Sequence, residues 1–315
     1  MKLRKLAALV LAGVMAMSMA ACSAASVEGE KPAAEGGAAE GEAAGSGSIG
    51  LSVSTLNNPF FVTLSEGAEA KAKELGVELI TVDASDDSAK QASDIEDMIS
   101  KNISVLIVNP VDSDAVAPAV EDAIAKGIKV VAVDRVVNGV DVDCSIASDN
   151  VAGAKMAAEY LVQLAGEKAK TAELEGVNGA SATIDRGEGF HSVADEKLTV
   201  VASQTANFNR AEGMSVMENM LQANPDIQCV FAHNDEMALG AIEAIGDKGI
   251  IVAGFDATDD AIAAIKEGKM AATVAQQPDL MGATAVETAQ KLMNGESVEK
   301  NLPVEVTLIT KDNVQ

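Results

Sequence analysis

The sequence predicts an α/β protein built from two doubly wound parallel-sheet lobes. From residue 49 onward, short runs rich in Val, Ile and Leu alternate with helical stretches, which is typical of βαβ units. The strand runs are apolar almost throughout, as expected when helices cover both faces of a sheet. Because the chain has 315 residues, too many for one average domain, we expect two such lobes.

Two series of elements make up the predicted lobes, and the second begins near Asp149. In the first series, the strands and helices alternate at 49–55, 60–75, 77–83, 88–101, 104–110, 114–125 and 129–134. In the second series, helices and strands alternate at 152–165, 170–176, 183–194, 198–204, 209–223, 229–235, 236–246, 250–256, 258–267, 271–277, 280–293 and 303–310.

The first 48 residues do not belong to the predicted folded body. Residues 1–22 combine a basic start, an apolar run and Ala-Ala before Cys22, the pattern of an export signal peptide. This ending resembles the lipobox of bacterial lipoproteins, which implies a lipid on Cys22; an ordinary signal peptide with an incidental cysteine is the alternative. Residues 23–48 are nearly all Ala, Glu, Gly and Ser, which predicts a flexible tether. We therefore expect an extracytoplasmic protein, either anchored to the outer face of the cell membrane or periplasmic.

Net charge, the positions of the cysteines and the spacing of the histidines limit the partners and cofactors that the sequence predicts. The formal net charge of −25 argues against nucleic acid and anionic lipid surfaces. Cys144 and Cys229 lie in apolar runs, where we expect buried free thiols, with a disulfide as the alternative. His191, His233 and these cysteines lack the spacing of metal ligands, so neither a metal nor a cofactor is predicted.

Polar or aromatic residues follow many of the predicted strands. In open parallel sheets, ligands bind outside the carboxyl ends of the strands. Any one of these residues is explained as a helix N-cap, but together they predict the lining of a binding site. They are Ser54 with Asn58, Asn109, Asp134 with Arg135, Asn234 with Asp235, Phe255 with Asp256, and Gln276.

Longer motifs lie at the same strand ends and suggest a family. They include STLNNPFFV (54–62), NPVDSDAV (109–116), ANFNR (206–210), NDEMALGA (234–241) and AATVAQQPD (271–279). From about residue 48 to 310 the chain resembles the periplasmic ribose-binding proteins and their pentose- and hexose-binding relatives, the type I periplasmic sugar-binding family of ABC importers. The resemblance implies two lobes joined by a three-strand hinge, with crossovers near residues 148, 277 and 306. The implied lobes are 49–148 with 277–305, and 149–276 with 306–315.

The resemblance also implies the residues that contact the sugar. These are Asn58, Phe60, Phe61, Asp134, Arg135, Arg186, Phe208, Asn234, Asp256 and Gln276. It also implies that Ser54, Asn109 and Phe255 lie next to these contact residues and support them. The departures from the family pattern, such as His233 in place of a usual Gln, leave every presumed contact in place.

These residue types suit a sugar. Flat Phe rings pack against the apolar C–H faces of a sugar ring, and four of the chain's six Phe residues fall at the predicted site. Asp, Arg, Asn and Gln side chains satisfy hydroxyl groups, which both donate and accept hydrogen bonds. Because two Asp are matched by two Arg, the expected ligand is neutral.

The expected function is capture of a monosaccharide, D-ribose, by a monomer that delivers it to an ABC transporter permease. Another sugar remains an alternative: allose, galactose, xylose, arabinose or a furanosyl signalling molecule, with a possible further role at a chemoreceptor. An enzyme is not expected, because the GxGxxG, GxxxxGK[ST], GxSxG and HExxH motifs are absent from the sequence. LacI-type repressors share this two-lobed fold, but they carry a DNA-binding helix-turn-helix at the N-terminus, where this chain has the predicted signal peptide.

Overall fold

The computed structural model describes residues 47–314. Cys22, the rest of the predicted signal peptide and nearly all of the predicted tether lie outside the described residues. The elements up to the end of the fifth strand are β1 (Ile49–Val53), α1 (Pro59–Leu75), β2 (Leu79–Asp83), α2 (Ser88–Ser100), β3 (Val105–Val108), α3 (Ala117–Ala125), β4 (Lys129–Val133) and β5 (Cys144–Ser148). The remaining elements are α4 (Asn150–Ala165), β6 (Lys170–Glu175), α5 (Ser181–Lys197), β7 (Thr199–Thr205), α6 (Arg210–Ala223), β8 (Cys229–Ala232), α7 (Asp235–Ile245), β9 (Ile251–Asp256), α8 (Asp259–Glu267), β10 (Ala272–Ala275), α9 (Pro278–Met293), β11 (Asn301–Val304) and β12 (Thr307–Thr310).

The first sheet has the strand order β2-β1-β3-β4-β5-β11, and every neighbouring pair is parallel. Helices α1 and α9 cover one face, where side chains such as Leu64 and Met281 are fully buried. Helices α2 and α3 cover the other face around Ile95 and Val120. Since both faces are covered, the strands are apolar on both sides, which is the pattern that the sequence showed.

The second sheet has the order β7-β6-β8-β9-β10-β12. Helices α6, α7 and α8 pack on one face, and α4 and α5 pack on the other. Its strands are parallel except that β12 pairs antiparallel with β10. The predicted class of two α/β lobes is confirmed, with one antiparallel edge strand added to the second sheet.

The chain passes between the two sheets three times: after β5, after β10 and between β11 and β12. Strand periodicity predicted one strand over 303–310, whereas the family resemblance implied a crossover near residue 306. The structure divides this run between the two sheets at Glu305 and Val306. Pro303, which has no N–H to donate, fits in β11 because β11 is an edge strand. Strand β5 was missing from the predicted series. No helix in the described part of the chain is long and apolar enough to cross a membrane.

Helices α1 and α9 cross at two glycines. A Cβ atom on Gly282 would lie 2.0 Å from the carbonyl oxygen of Leu64, and one on Gly67 would lie 2.2 Å from that of Asp279. These contacts involve backbone atoms, which cannot move aside as a flexible side chain can. Helix α9 therefore reaches its place in the first lobe only because glycine occupies both positions.

We expect Gly282→Ala to lower the free energy of unfolding by about 1–3 kcal/mol, because the added methyl group forces the two helices apart. Gly187→Ala in helix α5 is the matched control, because its Cβ would meet only the His233 ring, at 3.7 Å. Replacing glycine by alanine inside a helix stabilises the helix by up to about 1 kcal/mol where the methyl group has room. Urea unfolding of both variants checks this. Equal stability of G282A and G187A would contradict the close crossing.

Candidate ligand-binding site

One cavity lies between the carboxyl ends of the two sets of strands. All ten residues predicted to contact ligand line it: Asn58, Phe60, Phe61, Asp134, Arg135, Arg186, Phe208, Asn234, Asp256 and Gln276. Ala182, which the sequence reasoning missed, is the eleventh lining residue. The structure therefore brings the whole predicted set together, while the contact of each with a ligand stays a prediction.

The start of helix α1 places three of these side chains. Asn58 is the N-cap, and its Oδ1 accepts a hydrogen bond from the Phe60 N–H at 2.9 Å. Pro59 occupies the first turn, where a missing N–H costs nothing. The rings of Phe60 and Phe61 then meet edge to face, with centroids 5.1 Å apart. The cap thus fixes an amide and two aromatic rings at the cavity wall.

Asp134 and Arg135 follow β4 and are almost completely buried. The Asp134 backbone has φ +65°, a conformation that costs a non-glycine residue of order 1–3 kcal/mol. Asn109 holds the Asp134 carboxylate by a 3.0 Å hydrogen bond from Nδ2. Arg135 Nη1 donates to the Pro110 carbonyl at 2.7 Å. These bonds hold the pair in the cavity in spite of the backbone strain.

Asn109 is in turn held by two other residues. Its Oδ1 accepts the Ser54 N–H at 3.0 Å, and its carbonyl oxygen accepts a 2.9 Å bond from Gln91 Nε2. Ser54 and Asn109 thus lie directly behind the lining, where they were predicted. Gln91 was missed, because a single Gln within helix α2 gives no local signal of this role.

Arg186 projects from helix α5 and is held by bonds on two sides. Its Nε donates to Asn150 Oδ1 at 2.9 Å, and its Nη1 donates to the carbonyl oxygen of His233 at 2.6 Å. The guanidinium carbon lies 3.9 Å from the centre of the Phe255 ring, a cation–π contact. Phe255 was predicted to support the contact residues and lies beneath Arg186. Asn150 and the His233 carbonyl were not predicted.

Asp256 and Gln276 end neighbouring strands of the second sheet, and Gln276 Nε2 donates to Asp256 Oδ1 at 2.7 Å. Asn234 caps helix α7 through its Oδ1, which accepts the Met237 N–H. Its Nδ2 donates to the carbonyl oxygen of Phe208 at 3.3 Å. Asp256 and Phe208 both have positive φ, +126° and +56°, so strained backbone occurs in both lobes at this cavity.

The four charged groups of the cavity balance in sign but are removed from water. Burial raises the pKa of Asp134 and of Asp256, and the nearby arginines oppose that rise. Burial lowers the pKa of Arg135 and of Arg186, and the carboxylates oppose that fall. Two groups of each sign line the cavity, so their formal charges balance and do not favour an ionic ligand.

The two lobes touch directly beside the cavity. Ser113, which follows β3, donates its N–H to the Gly179 carbonyl at 3.0 Å, and its Oγ accepts the Ser181 N–H at 3.2 Å. Ser181 Oγ accepts the Val136 N–H at 3.1 Å. A Cβ on Gly179 would lie 2.2 Å from Asp112 Oδ2, so glycine permits this approach. These bonds hold the lobes in a closed arrangement, and the sequence did not identify the residues that form them.

Two further expectations concern cysteines and metals. Cys144 and Cys229 are buried free thiols in the structure, as expected, and not partners in a disulfide. Within residues 47–314, no three His, Cys, Asp or Glu side chains are grouped so that they could hold a metal ion.

A two-lobed α/β protein whose sheets direct polar and aromatic side chains into one cavity between the lobes is of the solute-binding class. The periplasmic binding protein domain family matches residues 49–297. The chain belongs to this family. Because the family consists of binding proteins, the expectation of a protein that is not an enzyme is confirmed.

Curated relatives and solved structures agree with this assignment. The chain is 52% identical over 266 residues to the ribose import binding protein of Bacillus subtilis strain 168, covering 84% of this chain and 87% of the relative. It is 46% identical over 268 residues to the Escherichia coli K12 protein of that name, covering 84% and 90%. An ABC transporter solute-binding protein from Bacillus halodurans with bound myo-inositol is 36% identical, with a TM-score of 0.82, covering 86% of this chain and 97% of that one. One from Actinobacillus succinogenes with bound D-allose is 32% identical, with a TM-score of 0.78, covering 85% and 99%.

Asp235, next to the cavity residue Asn234, is fully buried. Its carboxylate accepts hydrogen bonds from Thr273 Oγ1 at 2.7 Å and from the Thr258 N–H at 2.8 Å. Burial nevertheless raises its pKa to about 7. Between about pH 4 and pH 7 the folded protein therefore holds a proton on Asp235 that the unfolded chain has released. The stability contributed by this proton is complete below the unfolded pKa and is lost as pH rises through the folded one.

We expect the free energy of unfolding of the wild type to fall, relative to that of Asp235→Asn, as pH rises from about 4 to about 7. The slope of the difference is at most about 1.4 kcal/mol per pH unit. Comparing the two proteins removes the contribution of groups that do not interact with Asp235, while Asp256, whose pKa the Asp235 charge helps to raise, contributes to the difference. Denaturant unfolding across this range measures it, and parallel stability curves would contradict the raised pKa.

Proposed function

We propose that this protein captures D-ribose between its two lobes and delivers it to the permease of an ABC importer. The observation that carries this proposal is the cavity, in which three Phe rings and charge-balanced Asp, Arg, Asn and Gln side chains converge from both lobes. Relatives that are 46–52% identical are ribose import binding proteins, whereas the structures with bound myo-inositol and D-allose are 36% and 32% identical. The identities favour ribose over those ligands.

The ten predicted contact residues divide between the two lobes of the cleft. We assign residues 49–148 with 277–305 to the first lobe and 149–276 with 306–315 to the second. Sugar hydroxyls would bond to the carboxylates, guanidiniums and amides, and the Phe rings would cover the apolar sugar faces. Because contacts come from both lobes, the ligand binds the closed form better and shifts the population toward it. The permease would recognise the closed form.

We expect calorimetric titration to give tight binding of D-ribose and weaker binding of allose, galactose, xylose and arabinose. Arg135→Ala and Asp256→Ala should each weaken ribose binding at least about 100-fold, because each leaves a buried opposite charge unpaired. Arg210→Ala is the matched control: Arg210 pairs with Glu236 and Asp260 and does not line the cavity.

Small-angle scattering should show the wild type becoming more compact with ribose. If another sugar in the panel binds more tightly than ribose, that sugar is the ligand and the assignment of ribose is wrong. Unchanged ribose affinity in both R135A and D256A would contradict the site.

We further propose that the protein is a monomer held at the outer face of the cell membrane by lipid on Cys22, or held in the periplasm where the host has an outer membrane. The basic, apolar and Ala-Ala-Cys pattern of residues 1–22 supports this proposal. A lipid would hold the protein near its permease, and the acidic segment 23–48 would set how far the folded lobes can extend from the membrane surface.

Metabolic labelling of cells with a radioactive fatty acid tests the anchor. We expect label on the wild-type protein and on Cys144→Ala, and none on Cys22→Ala, which should also leave the membrane fraction. C144A is the matched control because Cys144 is a buried thiol of the folded body. Label that persists on C22A would contradict lipidation at this cysteine.

A further inference from the structure

A cluster of titratable side chains lies behind the cavity, in the second lobe. The chain has two histidines, and both rings contact one carboxylate, that of Glu173 in strand β6. His233 Nε2 lies 3.0 Å from Glu173 Oε1, and His191 Nε2 lies 3.0 Å from Oε2. Ser203 Oγ donates to Oε2 at 2.8 Å. Glu173 and His233 are each 1% exposed.

A buried carboxylate in the middle of a sheet needs a physical reason. Taking a carboxylate out of water is costly unless it is paired and hydrogen-bonded. Glu173 lies between β7 and β8, and its β8 neighbour in register is Phe231, a fully buried ring. Departures from burial rules of this kind concentrate at functional sites.

The contacts of residue 233 connect this cluster to the cavity. The His233 carbonyl oxygen accepts the 2.6 Å hydrogen bond from Arg186 Nη1, and the next residue, Asn234, lines the cavity. The His233 ring is bonded to Glu173 at Nε2, and its Nδ1 has no hydrogen-bond partner among the residues described. Glu173 is therefore the polar anchor of the ring, and it acts on the carbonyl that holds Arg186 together with the backbone bond from the His233 N–H to the Leu174 carbonyl at 2.9 Å.

Ionisation strengthens this anchor. Burial by itself raises the pKa of Glu173, but hydrogen bonds from His233 and Ser203 outweigh it and hold that pKa below its usual range. Burial lowers the pKa of His233, against the influence of Glu173. Near neutral pH a neutral His233 therefore donates its Nε2 proton to an ionised carboxylate, and such charge-assisted bonds are about twice as strong as neutral ones.

We infer that Glu173 and His233 form a positioning pair that fixes Arg186 and Asn234 for the sugar. This inference rests on the proposed function, because it assigns the pair to the same cavity. The pair does not touch the ligand. It acts by holding the carbonyl that orients one side of the Arg186 guanidinium, while Asn150 orients the other side. A small displacement of that carbonyl would turn the Arg186 hydrogen-bond donors away from the sugar.

His191 provides a matched comparison. It contacts the same carboxylate, but it lies on the outer side of helix α5 with its ring 40% exposed, and its other ring nitrogen pairs with Asp195 at 2.7 Å. His191 does not line the cavity. A replacement at His191 therefore disturbs Glu173 without moving the chain segment that carries Asn234.

The test measures D-ribose affinity by calorimetry and stability by urea unfolding for four variants. We expect His233→Leu to weaken ribose binding about tenfold, because it leaves Oε1 of the buried Glu173 carboxylate without its donor. His233→Gln should recover most of that loss, since its amide can donate to Glu173. His191→Gln should change affinity less than about threefold. Where H233L fails to fold, Glu173→Gln carries the test, and we expect it to weaken binding several-fold because the charge on the anchor is lost.

The outcomes separate this inference from the proposed function. Absence of ribose binding by the wild type would overturn the proposed function and the inference together. Ribose binding by the wild type with equal affinity in H233L, or in E173Q where H233L does not fold, would overturn the positioning pair alone. A merely structural role would lower stability in H233L and H233Q without the affinity difference between them, and that result would also overturn the pair.

Discussion

Four buried charges shared between two lobes are the constraint on which the rest of this structure depends. Asp134 and Arg135 come from one lobe, and Arg186 and Asp256 from the other. None of them is stable in the interior without opposite charge and hydrogen bonds. Arg135 stacks on Phe61 of its own lobe and on Phe208 of the other, 5.2 and 5.3 Å from the ring centres. The closed lobes thus complete an environment that neither provides alone.

The fold supplies this environment through the ends of its strands. Parallel strands bring their carboxyl ends to one edge of each sheet, and the two edges face one cavity. There the backbone turns sharply, and Asp134, Phe208 and Asp256 adopt positive φ. Such strain persists only where surrounding contacts over-determine it. Hydrogen bonds from Asn109 and Gln276 to the two aspartates have that effect, so each half of the site is held in place within its own lobe.

Selectivity for a sugar depends on residues behind the lining as much as on the lining itself. A site that hydrogen-bonds each hydroxyl rejects an analogue in which one is missing or misplaced, because a buried polar group is left unpaired. That rejection requires donors and acceptors whose positions cannot adjust. Gln91 and Asn109 provide this rigidity in the first lobe, and Asn150 with the Glu173–His233 pair provides it in the second.

The sequence by itself determined the two-lobe α/β class, because strand periodicity is a local signal. It also pointed to strand-end residues such as Asn58, Asp134 and Gln276, which a parallel sheet gathers at one edge. Phe60, Phe61, Arg186 and Phe208 were expected only from the family resemblance, and Arg186 lies within helix α5 rather than at a strand end. Strand periodicity treated residues 303–310 as one extended run, and only the family resemblance implied a crossover near residue 306. The sequence did not reveal Gln91, the bonds of Ser113 to Gly179 and Ser181, or the convergence of both histidines on Glu173. Those contacts join residues far apart in the chain, and only tertiary packing decides which distant polar groups must satisfy one another when water is excluded.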